Sequence, residues 1–143
     1  MATYNKFNLF TENLINGVIN LSTDTLKVML TNTLPVATNA VYADVSAGDL
    51  STAHGYTNGG SATSSNTVST TTGTAKFVST GPVFTASGGS IGPFEYAILY
   101  DTTPTSPLKP LIAWWDYGSS ITLLTGETFT VDFDPSNGVF TIA

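Results

Sequence analysis

Few residues in this chain are of a kind that does chemistry, and their spacing decides what each can do. His54 is the only histidine. A His-based metal site would need carboxylates and carbonyls for every other ligand, and a nucleophilic triad has this one base to draw on. His54 stands in STAHGYTNGG, a polar loop where a single imidazole is expected at the surface, away from the hydrogen-bond partner a general base requires. Ser119 and Ser120 follow Gly118 but lack the second glycine and the helix of a nucleophile elbow. Gly88-Gly89-Ser90-Ile91-Gly92 has no lysine at the P-loop position and opens a strand, so it reads as a tight turn and not as a phosphate cradle. Asp132 and Asp134 are the obvious carboxylate pair, the residue type with which glycosidases work. Two apart in a strand, they share one face opposite Val131 and Phe133 and are expected to be its solvated side. With Asn137 they offer oxygen ligands to calcium, but the EF-hand spacing and its closing glutamate are missing. Glu95 and Asp116 lie on segments that could be neighbouring strands. From these patterns no enzymatic activity, no cofactor and no metal site is expected.

The aromatic residues carry the other candidates. In a strand, Trp114 and Trp115 of Trp114-Trp115-Asp116-Tyr117 point to opposite faces, so one can fill a core while the other needs a cover. That cover is a loop or the N-terminal segment of the same chain, a subunit interface, or a sugar ring stacked on an aromatic platform. Tyr4, Phe7, Leu9 and Phe10 place large apolar groups in a region that is usually loose unless tied down. An arm docking on its own or a neighbouring subunit would account for them. The candidate interface residues are therefore Tyr4, Phe7, Leu9, Phe10, Trp114, Trp115 and Tyr117, and residues 1–10 are expected to be removable without unfolding the domain.

Composition limits what can hold these residues in place. At 143 residues, with 41% hydrophobic and only 10% charged side chains, the chain is expected to be one packed domain, 1–143, and neither a charge-solvated disordered segment nor a coiled coil. Zero cysteines exclude disulfides and thiol catalysis. Four lysines and no arginine against ten acids give −6, which argues against a nucleic-acid partner. No apolar run reaches the ~18–20 residues that span a bilayer, so no membrane partner is expected. MATYNKFNLF lacks the basic and apolar regions of a secretory signal, so synthesis and retention in the cytosol are expected.

Abundant Ser and Thr, with frequent Gly and Pro, read as an all-β protein with many turns. Phe7, Phe10, Leu14, Val18 and Leu21 recur at helical spacing, so residues 1–20 are read as an N-terminal arm or short helix. From Leu26 to Thr31 the period becomes two, which predicts a half-buried strand, and a weaker strand is predicted at Val41–Val45. Residues 46–73 read as a polar, loop-rich segment with one short edge strand around Val68. Further strands are predicted at Ala75–Ser79, Val83–Ala86, Phe94–Tyr100, Leu111–Tyr117, Ser120–Leu124, Thr128–Phe133 and Val139–Ile142, with Thr125-Gly126 and Asn137-Gly138 as tight hairpin turns. About eight strands without alternating helices predict a two-layer antiparallel β-sandwich, jelly-roll-like, with the polar segment as a crossing.

Four phrases resemble a family. MATYNKFN, LSTDTLKVMLTNTLPVATN (21–39), GGSIGPFEYAILY (88–100) and WWDYGSSITLLTGETFTVDFDPSNG (114–138) resemble small virion proteins of tailed bacteriophages, of the capsid cement or decoration type. The resemblance implies a jelly-roll or related sandwich bound to the outer capsid surface, where as a homodimer it bridges neighbouring major capsid protein subunits without enzymatic activity. It implies synthesis in the host cytoplasm and residence on the virion. The reading that stands beside it is a carbohydrate-binding β-sandwich on the virion surface, or another head or tail component, with Trp114 or Trp115, Tyr117 and Asp116 as the sugar platform.

Overall fold

Alternating apolar residues build the central sheet of the computed structural model, which describes residues 2–143. The elements in chain order are β1 (Thr3–Lys6), α1 (Phe10–Ile15), β2 (Leu26–Thr31), α2 (Tyr42–Val45), β3 (Ser61–Ala62), β4 (Ser64–Thr71), β5 (Thr74–Thr80), β6 (Val83–Thr85), β7 (Ile91–Asp101), β8 (Leu111–Leu123), β9 (Thr128–Thr130) and β10 (Phe140–Ile142). Five strands pair in the order β1-β8-β7-β2-β3, three in the order β10-β5-β4, and β6 pairs with β9, all antiparallel. The chain crosses repeatedly between layers, and the sheets pack against each other as an all-β sandwich.

The main core lies between the layers. Leu26, Val28 and Leu30 of β2, Ala97 and Leu99 of β7 and Ala113 of β8 meet Phe77, Phe84, Val131 and Phe133 from the opposite side. Each Leu, Val and Phe among them contributes roughly 1.5–3 kcal/mol by leaving water. The other face of the five-stranded sheet is buried as well. Met29, Ile98 and Trp114 stand in one cross-strand row, flanked by Tyr96, Tyr100, Leu111 and Phe7, and the segment bearing Ala37, Tyr42 and Val45 closes over them. β2 is therefore not half-buried as its alternation predicts: Met29 and Thr31, on the supposedly solvated face, are as enclosed as Val28.

Several expected boundaries are corrected by tertiary packing. Val41–Val45 is not a strand: Asp44 Oδ2 accepts the Ala40 and Val41 N–H groups, and Tyr42–Val45 closes into one helical turn. Within 46–73, Ser64–Thr71 is an eight-residue strand, held by its pairing with β5 through Thr72 (φ +50°) and Gly73 (φ +79°). The helical stripe divides. Only Phe10–Ile15 is helical, Gly17 (φ +71°) ends the turn, and Phe7 packs on the far side of the sheet from Phe10. β7 begins at Ile91, ahead of Pro93. β8 runs unbroken through Gly118, where a register shift absorbs the expected turn and Asp116 Oδ1 accepts the Gly118 N–H at 2.7 Å. Of the predicted strand Thr128–Phe133, only Thr128–Thr130 pairs. The turns at Thr125-Gly126 and Asn137-Gly138 are not hairpins, because they hand the chain from β8 to a strand pairing with β6, and then to one pairing with β5.

The segment expected to be an arm is, over residues 2–10, packed into the fold. β1 is an edge strand of the five-stranded sheet, and Phe7 and Phe10 are 0% and 1% exposed.

Candidate functional site

The paired tryptophans separate as strand geometry requires. Trp114 turns to the outer cluster, where Phe7 lies over it at a ring separation of 4.6 Å, so the N-terminal segment of the same chain supplies the cover. Trp115 turns inward at the sheet margin, between Tyr4 at 5.7 Å and Phe133 at 5.2 Å, and stays half-buried. Tyr117 meets Phe129 edge-on at 5.1 Å. Burial pushes the Tyr117 hydroxyl up to about 12, so it remains a proton donor at neutral pH.

Trp115 and Tyr117 form the floor of a groove of about 340 Å³, walled by Val131 and Phe133 and bordered by Asp132 and Asp134. The alternation read from the sequence holds here: Val131 and Phe133 are buried, and the two aspartates face solvent. Asp134 is engaged by its own loop. Its oxygens accept from the backbone N–H groups of Ser136 and Asn137 and from the Asn137 amide, which hold its carboxyl below the usual range. The Asn137 side chain thus presents a donor to Asp134, the opposite of what a shared cation needs. Asp132 has no such tie among the described residues. Aromatic faces beside a free carboxylate suit a sugar ring or the apolar stem and charged end of a basic side chain.

The interface candidates do not form one patch. Phe7, Phe10 and Trp114 are enclosed, Tyr117 and Trp115 are half-buried beside the groove, and Tyr4 (38% exposed) and Leu9 (43% exposed) reach the surface. Asp116 is tied to Gly118 and, with Glu95, faces the Tyr96 hydroxyl, whose pKa is raised first by burial and then by these two carboxylates.

His54 sits in an exposed loop at φ +54°, its ring laid against Gly89, where a Cβ would overlap it. It shares a recess with Asp49 and Ser90, but no hydrogen bond joins its ring to either among the described residues. Asp49 is already occupied. Its carboxylate accepts from Tyr56 OH at 2.5 Å, Tyr42 OH at 2.7 Å and Gly59 N–H at 2.6 Å, while Tyr56 OH accepts from Leu30 N–H. Tyr100 OH donates to Gly59 O at 2.6 Å and its ring stacks on Tyr42. This network pins the 42–60 segment to the sheet. Sequence reasoning missed it: Tyr42, Asp49 and Tyr56 stand seven apart, but in a segment without strand or helix period that spacing assigns no common face, and Tyr100 comes from a separate strand. Among the described residues no three acidic or histidine side chains gather where a metal ion could bind, and no helix is long and apolar enough to cross a membrane. No protein-family model, curated protein or solved structure matches this chain.

Proposed function

We propose that this chain is a structural protein of a tailed-phage virion that lies on the outer capsid surface and stabilises the shell by bridging neighbouring major capsid protein subunits, without enzymatic activity. The observation that carries the reading is the set of virion-protein-like phrases at residues 1–8, 21–39, 88–100 and 114–138. Those phrases include β1, β2 and most of β7 and β8, four adjacent strands of one sheet, together with the turns that follow them and β9 of the opposite layer.

A protein that binds only the assembled shell stabilises it by RT ln(1 + [L]/Kd) at each site, and many sites multiply the effect. A copy touching two coat subunits gains effective concentration for the second contact, more so as a homodimer. A net charge of −6 disfavours contact with packaged DNA and favours a basic patch on the coat. The test is titration of purified shells lacking this protein. Saturation at a fixed copy number together with a higher shell disruption temperature is expected, and shells that bind none of it would overturn the reading.

The groove at Trp115 and Tyr117 supports a second reading, a carbohydrate-binding sandwich. Saturable glycan-array binding that is lost in Trp115→Ala and kept in Trp114→Ala would favour it over the first.

A further inference from the structure

The start of β2 and the end of β7 meet at a corner that holds two carboxyl groups. Asp101 ends β7 in register with Leu26 and is fully buried. Its Oδ1 accepts the Thr103 N–H at 3.0 Å, whereas its Oδ2 is the one buried side-chain polar atom without a partner among the described residues. Asp24, half-buried in the turn before β2, receives the Asn20 N–H on Oδ2 at 2.8 Å, and its carboxyl group lies within hydrogen-bonding reach of Asp101. Ionised carboxylates only accept, so two of them here would leave a desolvated oxygen facing a like charge. The corner keeps them together: Thr102 N–H and Oγ1 donate to Thr25 O at 2.9 and 2.8 Å, and Thr25 N–H donates to Thr103 Oγ1 at 2.9 Å.

We propose that Asp24 and Asp101 hold one proton between them in mildly acidic solution and release it around neutrality, as a pH-gated clasp that closes the corner between residues 20–25 and 101–103. A single proton gives Asp101 Oδ2 its partner and turns a like-charge contact into a charge-assisted O–H···O bond. Burial, followed by the hydrogen bond and charge of Asp24, outweighs the lowering by Thr103 and lifts the Asp101 carboxyl to about 7. That value belongs to the pair. Asp24 is the only titratable side chain acting on Asp101, with no lysine or histidine opposing it. Calcium would be the other way to satisfy two carboxylates, but it takes about six to eight oxygens. Here two oxygens are free and no third acidic or histidine ligand joins them.

The folded chain therefore binds more protons than the unfolded chain between the ordinary carboxyl range near pH 4 and about 7. The stabilisation is complete below that window and is lost as pH rises through about 7. The proposal does not depend on which partner the protein binds.

The test follows the Asp101 side-chain carboxyl by ¹³C NMR, and the Tm, across roughly pH 4 to 9. An NMR transition near neutrality is expected, with a Tm several degrees lower above it than below. Asp101→Asn supplies a permanent N–H to Asp24, so its Tm should match or exceed wild type above pH 8 and lose that decline. Asp24→Asn, which keeps an oxygen to accept the Asn20 N–H, should move the Asp101 transition down by about one pH unit or more. A wild-type Asp101 transition in the ordinary range overturns the proposal, as does a pH-dependent Tm retained by both variants. A calcium-induced rise in Tm at neutral pH that both variants lose would make the pair a cation site and overturn it equally.

Discussion

Trp114 and Trp115 are neighbours in sequence and opposites in surroundings. Trp114, 8% exposed and capped by Phe7, is expected to cost about 3–5 kcal/mol on replacement by Ala, measured by urea unfolding, because a large cavity opens under the N-terminal segment. Trp115→Ala should cost less, about 2–3 kcal/mol, since part of that ring already faces solvent in the groove. Equal losses would contradict the packing described for Trp114. Asp49→Ala should cost about 3 kcal/mol or more, because it strips the carboxylate from two tyrosine hydroxyls and the Gly59 N–H in one step. Tyr56→Phe, which removes one arm of the same network and leaves Leu30 N–H without its acceptor, should cost about half of that. A double-mutant cycle between the two would report their coupling.

At the scale of elements, glycines that look alike in sequence divide by what stands next to them. Gly60 (φ +75°) lies under β2, where a Cβ would overlap the Val28 carbonyl, so Gly60→Ala should cost more than about 3 kcal/mol or prevent folding. Gly73 (φ +79°) meets nothing within 4 Å, so Gly73→Ala should cost only the ~1–2 kcal/mol of the left-handed backbone, read from the same denaturation curves. Removing residues 1–10 takes out β1, Phe7 and Phe10. At roughly 3–5 kcal/mol for each buried Phe, that loss is comparable with a whole domain's stability, and circular dichroism should show a chain without cooperative unfolding. The layers, β2, β5 and β7, and the alternation of Val131 and Phe133 with the aspartates were legible because period two survives wherever one face meets a core. Period alone failed where a second cover was added. Met29 alternates like a surface residue, but Tyr42 and Val45 close over its face from a segment that reads as a strand in isolation. It failed again in β4, whose Ser and Thr side chains bury almost nothing and whose strand exists through backbone pairing with β5. The groove was half-legible: Trp115 and Tyr117 stood out, while the Phe133 that completes it is brought there by a crossing of layers that no local pattern encodes.

For the molecule as a whole, the −6 charge should show itself in salt dependence. If the proposed shell contact meets a basic coat patch, its association rate should drop by about tenfold or more between roughly 50 and 500 mM monovalent salt, as screening shortens the reach of charge. A salt-independent rate measured on immobilised shells would assign the contact to apolar surface instead. The open flank of β4 has a consequence of its own for a protein concentrated at high density. The five-stranded sheet ends in the four residues of β1 and the two of β3, too short to template much, but β4 leaves eight residues of backbone along an outer margin without one charged side chain. Such a margin invites a strand from another copy, and an uncharged run gives nothing to repel it. Crowded or partly unfolded molecules are thus expected to zip into fibres from this side, with Val68→Lys delaying the light-scattering onset that wild type shows.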